Sequence, residues 1–509
     1  MIVIDGSHLT IDKVFSVAVG NEEVKLADPA HHKMLESHKW IQEILKIGKP
    51  VYGINTGFGI FSNKDISSEK IAHLNRNLIL SHAVGTGAEL PHEVVRAAIV
   101  IRANTLASGY SGVRPQIVEN LLTMLNLGVT PAIPSQGSLG SSGDLAPLSH
   151  LALVLTTGEK DRQQDSGWAY YEGQRLDGKT AMEQAGIERV VLGPKEGLAI
   201  TNGATFSAGL AALIVNQAEN LIKTAEVALS MSLEALLGTS AAFDSRLHEI
   251  RRQHGQMEVA ARVRTLTEGS TLLDAAGRVQ DSYSLRCAPQ VQGPARDTLN
   301  FVAEIINREI NAVTDNPLLF GPQEAISGGN FHGEPVGLAM DYLKIAMSEI
   351  SAISERRIYH LTDGKMNCGL PPMLVDNDDA AGLNSGMMMP QYTAASLVLE
   401  NQNLAAPDSV LSLPTSGGKE DHNANSMTAA RRAYQIIENC AHVLAVEIFC
   451  AARALDIRLR DIPDSKLGHG VGQAHQQLRE KVTYQPGDSW WGPEIEKVRE
   501  MIWEGELSI

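Results

Sequence analysis

Apolar positions recur at steps of three and four through the second half of this 509-residue chain. Leu299, Val302, Ile306, Ile310 and Val313 keep one face between residues 295 and 314, which predicts an amphipathic helix. Leu343, Met347 and Ile350 repeat the pattern between 335 and 357, and Ile437, Cys440, Leu444 and Ile448 do so between 427 and 457. Residues 206–238 are rich in Ala and Leu on all sides, as in a helix buried all round. In the first half the pattern predicts helices at about 34–47, 67–84, 91–107 and 115–126, and a small hairpin over 14–26 turning at Gly20-Asn21. Residues 168–180 predict an exposed hairpin followed by a short helical run. Long helices with little but loops between them imply a bundle. The expected fold class is mainly α: a large bundle of long helices with a smaller N-terminal part containing short strands and loops. No low-complexity linker or short-period repeat divides the chain. It is expected to form one unit over 1–509, loop-rich to about residue 200 and a helical bundle over about 201–509.

Composition narrows the function classes. A net charge of −16 argues against non-specific binding to nucleic acid or to an anionic membrane. No segment approaches the ~20 uninterrupted apolar residues that span a bilayer. Cys287, Cys368, Cys440 and Cys450 are widely spaced, with no Cys-x-x-Cys, so neither a disulfide framework nor a zinc site is expected. The opening Met1-Ile2-Val3-Ile4-Asp5-Gly6 lacks the basic start of a signal peptide. A cytoplasmic protein without a metal is expected.

Chemistry concentrates in Gly137-Ser138-Leu139-Gly140-Ser141-Ser142-Gly143-Asp144-Leu145-Ala146-Pro147-Leu148-Ser149-His150. Small residues let a backbone make contacts that a β-carbon forbids, and Asp144 is placed to cap the following helix. A Ser-Ser-Gly held in such a bend can cyclise. The Gly143 amide nitrogen attacks the Ser141 carbonyl, and Ser142 then loses its hydroxyl as water, leaving an alkene conjugated to an imidazolone. Other motifs are weaker. Gly173 to Thr180 matches the P-loop expression, but Asp177 would turn a carboxylate into a phosphate cradle. A nucleophile elbow needs a preceding strand, which Pro131 and Pro134 oppose. Ser416-Gly417-Gly418-Lys419 matches Ser-x-x-Lys, but paired glycines weaken the helix that motif needs.

The Gly137–His150 stretch resembles the signature of the aromatic amino acid ammonia-lyases, which carry a 4-methylideneimidazol-5-one group. Further segments continue the resemblance in order: Tyr52 to Gly59, Val279 to Cys287, Thr314 to Pro317, Ser327 to Pro335, Ser354 to Arg357 and Pro414 to Ser416. The resemblance implies that Ser141, Ser142 and Gly143 form the group autocatalytically, with no external cofactor. It implies that the substrate amine adds to the methylidene carbon and leaves as ammonia, or in a competing proposal that the aromatic ring attacks. Tyr52 matches the base for the β-proton. Its phenol must fall below its ordinary pKa of ~10 to serve near neutrality, and helix N-termini would favour that. Tyr283 matches a catalytic tyrosine that assists proton handling or ring formation, and Arg286 the residue binding the substrate carboxylate. Asn202, Gln280 and Phe331 match residues lining the site. Ser81-His82 and Glu420 resemble the pair and the glutamate that mark histidine ammonia-lyases. The implied partner is a small aromatic amino acid, and the implied assembly a homotetramer with shared active sites.

The chain departs from the pattern at four places. Ala204-Thr205-Phe206, after Thr201-Asn202-Gly203, stands where Thr-Gln is usual. Ser141 replaces the usual alanine, Lys419 replaces a glutamine, and Asn423-Ala424-Asn425 lengthens the step from Glu420 to Ser426-Met427. The leading expectation is elimination of ammonia from L-histidine to give trans-urocanate. Alternatives are a phenylalanine or tyrosine lyase, a 2,3-aminomutase, a lyase acting on a modified histidine, or a catalytically silent helical scaffold.

Overall fold

The computed structural model describes every residue except 49, 58, 60–63, 65 and 161. Phe58, in the Tyr52–Gly59 segment, lies outside the described residues. Among those described, eighteen α-helices accompany five small sheets of two or three strands. The chain divides into two compact units. The first comprises Met1–Asn216, Ala303–Asp341 and Pro407–Arg431, and the second Gln217–Val302, Tyr342–Ala406 and Arg432–Ile509.

The long apolar stripes form the long helices Thr205–Ala235, Ala288–Glu309, Glu334–Thr362 and Ser426–Asp461. The shorter predicted helices are also present, and their ends follow local chemistry. Asp28–Ile47 and Pro115–Leu127 each begin with a proline in the first turn and end on a left-handed glycine, Gly48 and Gly128. In the first unit His92–Ala107 is buried at every position from Val94 to Ala107, Arg96 and Arg102 included. In the second unit the buried Glu447 carboxylate takes the Arg357 guanidinium at 2.8 Å and hydroxyls from Ser232 and Ser354 at 2.7 and 2.6 Å.

The expected hairpin over 14–26 is instead a helix, Ile11–Ala18, followed by a strand, Val24–Leu26, that pairs in parallel with Ile2–Ile4. Phe15, Val17 and Val19 alternate as on a strand, whereas Val14 and Val17 share a helix face. With Ile11 and Ala18 they make a stripe at three- and four-residue steps, all buried, and Thr10 caps it by accepting from the Lys13 amide. Strands also occur where prolines were expected to forbid them, at Thr130–Pro131 and Pro134–Gln136. Pro134 opens its strand, where no ladder N–H is demanded. Trp168–Tyr171 and Gln174–Asp177 form the predicted hairpin. Asp177 caps the next helix through the Thr180 amide at 3.0 Å, so its carboxylate fills the place a phosphate would need. No described helix is long and apolar enough to cross a membrane.

Candidate active site

The Gly137–Asp144 loop lies in the first unit and is shaped by three left-handed or positive-φ glycines, Gly137, Gly140 and Gly143. Gly143 is the critical one. It bridges in parallel to Gly203, and a β-carbon on it would lie 2.0 Å from the Gly203 carbonyl carbon. That approach lets the Gly203 amide donate to the Ser142 carbonyl at 3.1 Å, while the Asp144 amide donates to the Gly203 carbonyl at 2.9 Å. Asn202 ends the short helix Glu196–Thr201 and adds a second donor, its side-chain amide reaching the Ser142 carbonyl at 2.8 Å. Two donors on that carbonyl stabilise negative charge developing on it, and so acidify the adjacent Ser142 Cα–H. The Ser142 hydroxyl donates to Glu420 Oε1 at 3.0 Å.

Asp144 does not cap its own helix, as the sequence suggested; its side chain makes no capping bond there. Its buried carboxylate accepts instead from Ser138 Oγ at 2.7 Å, from the Ser207 amide at 2.8 Å and from Ser207 Oγ. It therefore satisfies a free amide in the first turn of Thr205–Ala235 and ties the loop to that helix. Burial pushes its pKa up, against these hydrogen bonds.

A cleft of about 1390 Å³ opens over Ser141 and Ser142. Tyr52, His82, Asn202, Phe331 and Glu420 line it, as do Lys64, His332, Lys419, Asp421 and His422. Tyr52 stands in a turn whose Ile54 and Asn55 amides donate to the Val51 carbonyl at 3.1 and 3.3 Å. Ile54 is buried against Ile41, Ile44 and Leu319, which anchors that turn. The expectation of a lowered phenol pKa fails within this unit. Burial raises it and the Glu420 charge adds to the rise, with only the Gly59 backbone opposing them. The His82 ring lies 2.9 Å from Ser81 Oγ, and burial lowers its pKa, favouring neutral imidazole. Glu420 is placed by a one-residue antiparallel bridge to Thr415, whose amide donates to the Glu420 carbonyl at 2.7 Å.

Gln280, Tyr283 and Arg286 lie in the second unit and are not among the residues lining this cleft. Tyr283 is 70% exposed, Val279 fully so, and the Arg286 guanidinium lies 4.6 Å from the Tyr283 ring centroid. Arg286 Nε donates to the Asp281 carbonyl at 2.9 Å.

A family model described as aromatic amino acid lyase matches residues 9–480. The chain belongs to the aromatic amino acid lyase family. A histidine ammonia-lyase of Treponema denticola is 46% identical over 98% of this lyase and 96% of its own length. The crystal structure of a histidine ammonia-lyase from Trypanosoma cruzi superposes with a TM-score of 0.90 at 34% identity, covering 99% of this chain and 94% of that one. A tyrosine aminomutase from Streptomyces globisporus does so at 0.92 and 34%, covering 99% and 97%.

Several residues of this lyase's site escaped sequence reasoning. Ser207 supports the loop from a helix that only the fold brings near. Asn423 is buried, and its side-chain amide donates to Ser141 Oγ at 3.2 Å. Its signal was available: it stands in the lengthened segment after Glu420. His332 and His422 stack with centroids 6.0 Å apart at the cleft, and no spacing pattern linked them. Among the described residues, no group of three His, Cys, Asp or Glu could hold a metal ion.

Proposed function

We propose that this lyase removes ammonia from L-histidine to give trans-urocanate, using a 4-methylideneimidazol-5-one group formed from Ser141, Ser142 and Gly143. The observation that carries the reading is the Ser142 hydroxyl held against Glu420 in a cleft also lined by Tyr52 and His82. The residues present fit the group. Gly143 has no room for a β-carbon, and the Ser142 carbonyl that would enter the ring already has two donors. Once formed, the group supplies an electrophilic carbon in the cleft.

The remaining chemistry falls to the chain's own side chains. Neutral His82 and anionic Glu420, both lining the cleft, offer an imidazole one group able to donate or accept and one that accepts. Tyr52 takes the β-proton. Since its own unit raises its pKa, its activation requires positive charge supplied from elsewhere. We assign that charge, and the carboxylate-binding guanidinium, to the exposed segment holding Gln280, Tyr283 and Arg286 of another copy. The active form is then a homotetramer with shared sites, in the cytoplasm.

The test is to mix purified protein with L-histidine and follow near-ultraviolet absorbance for the conjugated acrylate, with ammonia release as a check. A steady rise is expected. A flat trace with L-histidine, together with ammonia released from L-phenylalanine or L-tyrosine, overturns the substrate assignment. A second reading, a 2,3-aminomutase, rests on the likeness in fold to the tyrosine aminomutase, which is 34% identical against 46% for the Treponema denticola histidine ammonia-lyase; it predicts a β-amino acid and no ammonia.

A further inference from the structure

We propose that Asn423 is a positioning residue for formation of the prosthetic group, acting through the side-chain hydroxyl of Ser141. The inference rests on the reading of Ser141-Ser142-Gly143 as the precursor. Ring closure joins the Gly143 nitrogen to the Ser141 carbonyl carbon. The carbonyl oxygen leaves as water with the amide hydrogens of Ser142 and Gly143. The Ser142 Cα proton and hydroxyl then leave as a second water, and nothing is oxidised or reduced. The first step depends on where Ser141 holds its carbonyl. Positioning of that kind supplies rate by restricting the reactants to a near-attack geometry.

Ser141 is 6% exposed and Asn423 1% exposed. A buried hydroxyl without a partner is costly, and the Asn423 amide supplies that partner at 3.2 Å. Asn423 is itself fixed at two further points. Its Oδ1 accepts from the Leu413 amide at 2.9 Å, and its backbone N–H donates to Ser412 Oγ at 2.9 Å. Two residues on, the Asn425 amide donates to the Leu139 carbonyl at 2.7 Å. The lengthened segment after Glu420 therefore splints the precursor loop at two positions, on either side of Gly140. Both ends of the Ser141–Asn423 contact are places where the sequence departs from the family pattern. The extra hydroxyl and the extra amide thus explain each other.

The experiment is a double-mutant cycle on the full chain. Wild type, Ser141→Ala, Asn423→Ala and the double variant are made by cell-free synthesis. The mass of the proteolytic peptide holding residues 137–150 is followed with time, with circular dichroism to compare the folded fraction. Asn423→Ala is expected to slow the loss of water about fivefold, the rate equivalent of one neutral hydrogen bond. In the Ser141→Ala background the same substitution is expected to change little. Equal slowing in both backgrounds, or wild-type maturation of Asn423→Ala, overturns the proposal while leaving the precursor assignment standing. If the wild-type peptide never loses water, the precursor assignment fails and takes this proposal with it.

Discussion

Replacing Gly143 by alanine tests the geometry of the precursor most directly. The added β-carbon would lie 2.0 Å from the Gly203 carbonyl carbon, 2.2 Å from its oxygen and 2.4 Å from its Cα. These are backbone atoms, so no side-chain rotation relieves the clash, and the two segments must part by more than an ångström. Such a movement breaks the bond from the Gly203 amide to Ser142 and that from the Asp144 amide to Gly203. Two buried hydrogen bonds lost, each about 1–3 kcal/mol when its groups stay unpaired, place the local cost at roughly 2–6 kcal/mol. A φ of +78° adds about 1 kcal/mol for a non-glycine residue. Gly186 separates the two contributions. Its φ is +70°, but nothing lies within 4 Å of its would-be β-carbon, so Gly186→Ala carries the backbone strain alone. Peptide mass spectrometry is the assay. Gly143→Ala should abolish or strongly delay water loss, and Gly186→Ala should mature as wild type does. Normal maturation of Gly143→Ala would refute the claim that the Gly143–Gly203 approach shapes the precursor.

Glu420→Gln keeps an acceptor for the Ser142 hydroxyl but removes the charge, and a charge-assisted hydrogen bond contributes about 1.5–3 kcal/mol. Its kcat/KM for L-histidine should therefore fall roughly tenfold to a hundredfold, with water loss from the precursor retained; an unchanged kcat/KM would remove Glu420 from substrate binding. The Glu234 carboxyl of the second unit accepts from the Gly468 amide and is pushed up to about 8 by burial. A carboxyl whose pKa is raised on folding contributes stability below its unfolded value, and that contribution is lost as pH rises through the folded value. Wild type should lose about 2–3 kcal/mol relative to Glu234→Gln between pH 6 and pH 9, read as a fall of the wild-type Tm relative to that of the variant. A wild-type Tm that rises relative to that of Glu234→Gln over this pH range contradicts the assignment.

The long helices were legible because each has to bury a stripe, and a stripe of three- and four-residue steps has one interpretation over twenty residues or more. The segment at 11–18 was not, because two turns of helix and one short strand can share the same few valines. Asp144 shows a different limit. Its position before a helix is visible in sequence, but its partner Ser207 is 63 residues away, and capping of a distant helix leaves no local pattern. Tyr52, Ser142, His82, Asn202, Phe331 and Glu420 were named from motifs and line one cleft. Gln280, Tyr283 and Arg286 were named with equal ease and do not line it, since a motif match carries no information about where the fold places a residue.

The support behind the loop is polar where an apolar core would be cheaper. Lys195 and Asp315 form a fully buried ion pair, and the buried Arg102 bonds to Thr205 Oγ1 and to the Ala199 carbonyl at 3.2 Å. Buried pairs of this kind seldom add stability over apolar packing, so their use here points to geometry. Arg102 lies where it blocks a β-carbon on Gly203, at 2.6 Å, and so backs the bridge residue whose amide holds the Ser142 carbonyl. Its guanidinium feels Asp315, Asp144 and Glu309, and burial lowers its pKa to about 10. Glu309 shares the Arg102 charge with Asp144 and Asp315. Burial and the Asp144 charge raise it to about 7, against the pull of Arg102. The groups aimed directly at the Ser142 carbonyl are the Gly203 amide and the Asn202 side chain. Removing the Asn202 donor should therefore slow water loss from the precursor more than neutralising Glu309 does.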